Sequence, residues 1–292
     1  MRLSFIYLSI FLAVLAMSTS SIMIRYCTAP ALVIAFYRVS FTSLLAGGVR
    51  GGKLKSSIAG IGRREFGFII GAGFFLALHF AFWISSLAYT SISSSVLFTN
   101  LQVVFVLLFS IFFLREKLSY PVMGGIFLAL AGSLLIAHGD LRCGKLLGDM
   151  LALASGLFVA IYFIIGRRMR TRIDAMGYTF IVSAIASLVL LPVCLVGGLS
   201  LSGYPLLDWG LFILLALGPG LAGHGILNWA LKYVKAPVVA VSILGESVGA
   251  TVLAYLFFRE VLQWYQILGG LLILTGIYIA AANEGKDTKP VF

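Results

Sequence analysis

The chain has 292 residues, of which 61% are apolar and only 11% are charged, and its net charge is +11. Soluble proteins average about 45–50% apolar and about 25% charged residues, so a soluble fold of this composition would expose large apolar patches. The composition excludes a soluble globular domain and a disordered chain, and three cysteines exclude a disulfide scaffold. The sequence therefore predicts an all-α membrane protein.

Ten apolar stretches have the length of about 17–25 residues that a helix needs to cross a bilayer. They are Leu3–Met23, Ala31–Gly48, Gly67–Ala88, Ile92–Phe113, Tyr120–His138, Asp149–Ile165, Tyr178–Leu199, Trp209–Leu231, Pro237–Phe258 and Trp264–Ala282. The first stretch also resembles a signal peptide, but it is longer than the usual apolar region of about 7–15 residues. We therefore expect ten transmembrane helices and no soluble domain.

The positive charges lie mainly between the apolar stretches, which indicates membrane topology rather than nucleic-acid binding. With a cytoplasmic N-terminus, sixteen Lys and Arg residues fall on the inner side and four on the outer side. The inner set is Arg2, Arg50, Lys53, Lys55, Arg63, Arg64, Arg115, Lys117, Arg167, Arg168, Arg170, Arg172, Lys232, Lys235, Lys286 and Lys289, and the outer set is Arg25, Arg142, Lys145 and Arg259. We expect a protein of the inner (plasma) membrane with both termini in the cytoplasm.

The chain is similar to itself at an offset of 144 residues. The segment Phe112–Leu118, which contains Arg-Glu, matches Leu256–Leu262, and Tyr89 matches Tyr233. The glycines at positions 125 and 132 match those at 269 and 276. Each half holds five spans, so the second half enters the membrane from the opposite side. The sequence predicts two inverted repeats, residues 1–143 and 144–292, an architecture common in secondary transporters with a substrate site at the repeat interface.

The second half resembles the C-terminal EamA repeat of the drug/metabolite transporter superfamily. The similar stretches are Asn228–Tyr233, Phe258-Arg259-Glu260 and the glycines from Gly269 to Gly276. The first half is similar through Ser86–Tyr89, Leu114–Ser119 and Gly125 to Gly132. Pro30 with Arg38 resembles the family's second span. Gly148-Asp149 with Gly166-Arg167-Arg168 resembles its sixth span. The resemblance implies a ten-helix carrier that moves small organic metabolites, often outward.

The superfamily includes exporters of amino acids and carriers of nucleotide sugars and organic phosphates, so the resemblance leaves several substrate classes open. This chain departs from the family at two places. The family often has proline in the fourth and ninth spans, where this chain has Val103 and Ser247. A kink in either helix would need another origin.

Glu246 falls near the centre of the ninth span, where the family often has an acid, and its repeat partner Gln102 falls near the centre of the fourth. A charge at the bilayer centre costs about 2.5–3.5 kcal/mol on insertion scales, so such residues usually face a cavity or a partner. Each helix carries a polar stripe at helical spacing, made by Ser242, Glu246 and Gly249 and by Ser95, Thr99 and Gln102. We expect Glu246 to bind a substrate amine or a proton; the alternative is a hydrogen-bonded structural residue.

Two histidines also fall within spans. His79 and Trp83 lie one turn apart in the third span, and His224 and Asn228 lie one turn apart in the eighth. They are candidates for an aromatic and polar cavity lining. The alternative is that each histidine lies in the core and donates a hydrogen bond to a backbone carbonyl. The sequence lacks the ligand spacing of a metal site, so we expect neither a metal nor another cofactor.

Arg38 lies within the second span. It could bind a carboxylate or phosphate, but the sequence favours a structural residue that forms an ion pair or reaches the membrane surface. Tyr162 and Asn100 are weaker candidates for the cavity lining, and Asp149 is expected to cap the sixth helix. The candidate substrate-binding residues are Arg38, His79, Trp83, Asn100, Gln102, Tyr162, His224, Asn228 and Glu246.

Small residues at helical spacing predict close helix contacts in the fifth and tenth spans, within the chain or in a homodimer. Gly218-Pro219-Gly220 predicts a broken or kinked eighth helix near the site. Cys27 and Cys143 both fall on the expected outer side, which leaves a disulfide open.

These observations predict a secondary transporter, expected to export small amino-acid-like or amine-like metabolites by alternating access, with protons as a second ligand. The alternative is a carrier of an anionic metabolite such as an organic phosphate or nucleotide sugar. The sequence has no P-loop, so transport is not expected to be driven directly by ATP. An integral-membrane enzyme would need a catalytic constellation, and a channel would need pore rings; neither pattern is found in the sequence.

Overall fold

The computed structural model describes residues 3–51, 61–90, 92–140, 146–258 and 263–287. Within these ranges the chain forms helices and no strands. Nine of the described helices are long and apolar enough to cross a membrane, and a tenth apolar helix begins at Tyr120. The protein is thus an all-α membrane protein.

The ten helices follow the predicted spans closely. They are α1 (Leu3–Tyr26), α2 (Ala31–Arg50), α3 (Arg63–Tyr89), α4 (Ile92–Asn100, Gln102–Phe109 and Ser110–Leu114), α5 (Tyr120–Asp140), α6 (Leu146–Met169), α7 (Ala175–Val196), α8 (Leu206–Ala230), α9 (Ala236–Ile243 and Gly245–Phe258) and α10 (Trp264–Asp287). Several helices begin a few residues before the predicted span. Helix α3 does so because its first turn, from Arg63 to Glu65, is charged and hydropathy excludes it.

The two halves pack as inverted repeats. Helix α3 packs against α6, and its repeat counterpart α8 packs in the same way against α1. Helix α2 packs against its own counterpart α7, and α5 packs against its counterpart α10. These pairings exchange the first and second halves, so the repeats interleave around one internal two-fold axis. The substrate site expected at a repeat interface would lie among these contacts.

The glycine stripes of α5 and α10 face each other inside the chain. A Cβ atom on Gly125 would lie 2.6 Å from the carbonyl oxygen of Gly276, and one on Gly132 would lie 2.5 Å from that of Gly269. Each contact is the repeat image of the other, and the reversed order makes the helices antiparallel. The stripe is therefore buried within one chain and does not form a surface for a homodimer.

Helices α1, α4 and α9 change their hydrogen bonding near their middle. Helix α1 turns at Thr19, and α4 and α9 are interrupted at Leu101 and Leu244. Both leucines donate backbone hydrogen bonds three residues back, to Phe98 at 3.3 Å and to Val241 at 3.1 Å. These tight turns interrupt α4 and α9 within one residue of equivalent positions, without the proline that the family often has nearby.

Of the break or kink expected at Gly218-Pro219-Gly220, the structure shows a change of hydrogen bonding and not a break. Helix α8 continues through this sequence as a π-helical segment, Ala216–Gly225. Hydrogen bonds in a π-helix span five residues instead of four. The helix therefore continues past Pro219, although this residue has no N–H to donate. At Gly220 the segment also approaches the hydroxyl of Thr42 on α2 so closely that a side chain would collide with it.

Some sequence-based expectations fall on residues outside the described ranges. They are the Arg259-Glu260 turn, Cys143 with the disulfide that the sequence leaves open, and the cations Arg2, Lys53, Lys55, Arg142, Lys145 and Lys289. Asp149 lies within the first turn of α6, which begins at Leu146. Instead of capping that helix, its carboxylate accepts hydrogen bonds from Thr90 Oγ1 at 2.7 Å and Ser94 Oγ at 2.5 Å, which joins α6 to the connection between α3 and α4.

Candidate functional site

A small cavity of about 40 Å³ lies between the two repeats. It has room for a few water molecules in this conformation, so it must widen to admit a metabolite. Helices from both repeats contribute side chains to it, because the interrupted α4 and α9 and the π-helical part of α8 all pass beside it. Seven of the nine candidate residues line it: Arg38, His79, Trp83, Asn100, Gln102, His224 and Glu246.

Glu246 and Gln102 occupy equivalent places on the cavity wall. Glu246 lies in the first turn of the second segment of α9, and Gln102 begins the second segment of α4. None of the described residues donates a hydrogen bond to the Glu246 carboxylate or forms an ion pair with it. This carboxylate faces the cavity and is available to a cation, a proton or water.

The predicted polar stripe on α9 is divided by the interruption at Leu244. Glu246 lines the central cavity, whereas Ser242 and Gly249 line a separate crevice beside α1. On α4 the stripe divides as well, since Thr99 and Gln102 reach the cavity while Ser95 lies 2.6 Å from the Ser86 hydroxyl in the core. The predicted polar stripes assumed that α4 and α9 are uninterrupted helices. That prediction is wrong, because the interruption in each helix turns part of the stripe away from the cavity.

Arg38 is buried in the cavity wall with only 2% of its surface exposed. Its Nη1 donates to Ser20 Oγ at 2.9 Å, and its guanidinium lies 4.3 Å from the ring centroid of Phe80. The Nε atom has no hydrogen-bond partner among the described residues, and none of their carboxylates pairs with the guanidinium. The close ion pair or surface contact that the sequence favoured is therefore not found. The guanidinium packs on an aromatic face, and the Glu246 carboxylate in the same cavity attracts it without a hydrogen bond.

The two histidines meet across the cavity, with ring centroids 6.3 Å apart. His79 Nδ1 lies 2.8 Å from the Ser155 hydroxyl, which itself donates to the His79 carbonyl at 3.1 Å. The Ser155 hydroxyl has one proton, and it is donated to the His79 carbonyl. The Nδ1 atom of a neutral His79 must therefore carry the ring hydrogen and donate to Ser155, which leaves Nε2 as an acceptor. His79 is also stacked on Trp83, with parallel rings 6.3 Å apart.

Asn228 and Tyr162 lie beside this cavity rather than in it. They line a smaller adjoining space of about 10 Å³, whose wall also includes Arg38 and His224. Tyr162 donates its hydroxyl to Asn228 Oδ1 at 2.8 Å, and Asn228 Nδ2 donates to Thr179 at 3.4 Å. Both side chains thus have protein partners, which is typical of a structural contact.

Asn100 reaches the cavity from the last turn before the interruption in α4. Its Nδ2 donates to Ser133 on α5 at 3.2 Å and to Ser247 on α9 at 3.1 Å. Ser247 stands where the family often has proline, so in this chain that position supplies a hydrogen-bond acceptor between the repeats. Asn100 therefore fixes the relative position of the interrupted helices.

Sequence reasoning missed several lining residues. The cavity wall also contains Met17, Ser20, Phe80, Val96, Val159, Phe163 and Ile243. Apolar members could not be recognised, because lipid-facing and cavity-facing apolar residues look alike in sequence. Ser20 could have been predicted as a lining residue from the sequence, because it is a polar residue within the first span, one turn from Met17. No three His, Cys, Asp or Glu side chains group as metal ligands within the described part of the chain.

A profile of the EamA-like transporter family matches residues 4–138 and again residues 146–282. The chain belongs to the EamA-like transporter family. The two matches cover the two halves separately, in agreement with the repeat packing of the helices. This EamA-like protein is thus a multi-pass membrane protein and a transporter.

The relatives of this EamA-like protein include an uncharacterized transporter of Archaeoglobus fulgidus, 26% identical over 93% of this chain and 94% of the relative. The pseudopaline exporter CntI of Pseudomonas aeruginosa is 26% identical over 94% of this chain and 97% of its own length. A solved crystal structure superimposes with a TM-score of 0.77 at 19% identity, over 97% of this chain and 99% of the other, and so shares the fold.

Proposed function

We propose that this EamA-like transporter exports small amphipathic metabolites that carry an amino group, resembling amino acids or amines, across the plasma membrane. The observation that carries the proposal is the Glu246 carboxylate, which lies in the central cavity without a donor from the described residues. A carboxylate without a hydrogen-bond donor in a low-dielectric cavity favours a cationic ligand, because the ligand's charge compensates a group that is costly to bury. The Arg38 guanidinium in the same cavity offsets part of that charge, so the ligand supplements an existing attraction.

Alternating access follows from the packing of the repeats. Because each half is an inverted copy of the other, exchange of their conformations would close one end of the cavity and open the other. Polar contacts join the helices at both ends. At one end Arg167 Nε pairs with Glu116 at 2.8 Å, and at the other the Asp208 carboxylate accepts a hydrogen bond from Thr28 Oγ1 at 2.8 Å. These contacts would form and break in turn, with both chain termini in the cytoplasm.

Export is supported by the relative from Pseudomonas aeruginosa that is named as an exporter. Coupling would also depend on Glu246, since a proton and a substrate cation compete for a single carboxylate. Binding of one would release the other, which links their fluxes. The proposed chemistry is transport without a covalent step.

A second candidate is a carrier of anionic metabolites, and Arg38 is the observation that favours it. The guanidinium lines the same cavity, and its buried Nε has no partner among the described residues. A carboxylate or phosphate could accept hydrogen bonds from it in the geometry that guanidinium favours. Substrate charge therefore distinguishes the two candidates.

The test is transport by the purified protein in proteoliposomes, with candidate solutes first selected by thermal stabilisation. A ligand at 100 times its dissociation constant adds about 2.7 kcal/mol to the free energy of unfolding. Glu246→Gln should abolish transport driven by a pH gradient, because the amide keeps the shape but cannot change its charge. Glu65→Gln is the matched control, since Glu65 caps Gly62 at the start of α3, away from the cavity.

Normal pH-dependent transport by Glu246→Gln would contradict the proposal. Substrate exchange that survives without gradient-driven transport would assign Glu246 to coupling. Weaker binding at every pH would assign it to recognition of the amine. If instead Arg38→Gln alone abolishes uptake of an organic phosphate that stabilises the protein, the second candidate is correct.

A further inference from the structure

A second, larger space lies on the lipid side of the central cavity. This lateral crevice, formed by α1, α9 and α10, has a volume of about 660 Å³. Its wall is mostly apolar and includes Leu15, Val248, Leu253 and Ile277. Such a wall suits a hydrocarbon chain and offers little to a polar solute.

The partition between the crevice and the central cavity is thin. Ser18 lines the crevice, and its hydroxyl, which donates to the Val14 carbonyl at 2.9 Å, lies 3.3 Å from the Glu246 carbonyl. The Glu246 side chain faces the cavity. On the α9 side the partition consists of Gly245 and Gly249, which have no side chains. The Ser18 side chain lies so close to Gly249 that any Cβ atom there would collide with it.

Helix α1 is interrupted at the same height. Thr19 lies between its two segments, and its hydroxyl donates to the Ala16 carbonyl at 2.7 Å. On either side of this turn, Met17 and Ser20 line the central cavity, whereas Ser18 and Thr19 line the crevice. A single turn of α1 thus separates the two spaces, and its interrupted hydrogen bonding lowers the cost of bending it.

The repeat counterpart of α1 does not share this arrangement. Helix α6 runs without interruption from Leu146 to Met169. It packs directly against α4, where a Cβ atom on Gly156 would lie 2.8 Å from the Thr99 carbonyl oxygen. The interrupted turn beside a crevice is therefore a feature of the α1 side and does not follow from the repeat.

We propose that the crevice is a lateral binding site for the apolar tail of an amphipathic cation, whose ammonium group lies at Glu246. The proposal rests on the proposed function, because it uses the same carboxylate for the charged group. The crevice supplies the apolar surface, and the Glu246 carboxylate supplies the complementary charge. A passage between them opens when the turn of α1 at Ser18 and Thr19 moves away from Gly249. Substrates would then reach the cavity from the bilayer as well as from water.

The experiment uses a long-chain alkylammonium ion whose tail ends in a diazirine, with the protein in phosphatidylcholine nanodiscs. Photolabelled peptides are identified by mass spectrometry. Labelling should concentrate on the crevice faces of α1 and α10. Glu246→Gln should reduce it about ten-fold, the loss expected for one charge-assisted hydrogen bond.

Val252→Trp fills the crevice and should remove the labelling as well. Its matched control is Leu108→Trp at the repeat-equivalent position, because Val252 and Leu108 are similarly exposed, at 45% and 43%. Both tryptophans face the lipid side, so both variants should unfold at the temperature of the parent protein. Labelling of Leu108→Trp should be unchanged.

Labelling that spreads evenly over the lipid-facing helices, or that survives Glu246→Gln, would overturn the proposal, since the crevice would then hold lipid chains. Equal effects of the two tryptophan variants would also overturn it. Transport of a short amine without a tail tests the proposed function separately. If Val252→Trp retains that transport and loses the labelling, both inferences hold; if Glu246→Gln also retains it, the proposed function fails.

Discussion

Gly125 and Gly276 meet backbone to backbone, although they belong to opposite repeats. A Cβ atom on Gly276 would lie 2.5 Å from the Gly125 carbonyl oxygen, and Ala129 would approach it equally closely. Without a hydrophobic force between helices in lipid, close contacts of this kind provide most of the attraction. The pair therefore holds α5 against α10, and with its repeat image it sets the internal two-fold axis.

Gly276→Ala should destabilise the protein by about 1–3 kcal/mol, because the new methyl group forces the two backbones apart. The control is Gly124→Ala, where a Cβ atom would meet nothing within 4 Å. In a helix that change is expected to be neutral or stabilising by about 0.5–1 kcal/mol. Thermal unfolding in detergent measures both, and equal midpoints for the two variants would contradict the packing.

Sidedness can be tested by cysteine labelling in a background without native cysteines. Arg170 is unsuitable as a reporter, because it is 3% exposed and donates to the Asn228 carbonyl. Thr171→Cys and Arg64→Cys are exposed positions on the expected inner side, and Ser202→Cys is exposed on the outer side. Impermeant maleimide should label only Ser202→Cys in intact cells. Labelling of Thr171→Cys under the same conditions would contradict the inverted topology.

The Cys27 thiol should react slowly with maleimide even when the reagent has access. Burial, with the Asp208 carboxylate adding to it, raises the pKa of Cys27 to about 12. Because the thiolate is the reactive form, the labelling rate should stay low at pH 8 and rise only in strong alkali. The exposed thiol of Ser202→Cys serves as the reference and should react at an ordinary rate.

Asp208→Asn should lower the pKa of Cys27 and increase its labelling rate at pH 8, because the negative charge that disfavours the thiolate is removed. The same change should reduce stability, since the buried carboxylate accepts hydrogen bonds from the Thr28 backbone, the Thr28 hydroxyl and the Ala29 backbone. An unchanged labelling rate in the variant would show that burial alone suppresses the thiolate.

Tyr162→Phe should cost about 1–3 kcal/mol of stability, the penalty for leaving the buried Asn228 oxygen without its donor. Tyr278→Phe is the control, because Tyr278 lies on α10 with 73% of its surface exposed. Transport by Tyr162→Phe should persist at temperatures where the variant remains folded. Loss of transport with unchanged stability would return Tyr162 to the candidate substrate-binding residues.

The sequence by itself determined the membrane class, the number of spans and the inverted repeat. Composition and the length of apolar stretches depend only on the residues and their order. The membrane class and the spans can therefore be predicted without knowledge of any contact between residues. The offset of 144 residues also related Glu246 to Gln102 and Gly125 to Gly269 before the helices were placed. The cost of a carboxylate in lipid sufficed to select Glu246.

Only the tertiary structure decided which helix faces meet. The structure brought His79 and His224 together, set Arg38 against Phe80, and paired Tyr162 with Asn228. In a soluble helix the apolar face would reveal its orientation, but here the lipid-facing and core-facing sides are both apolar. Rotation of each helix is therefore fixed by packing and interhelical hydrogen bonds, which depend on residues far apart in the chain.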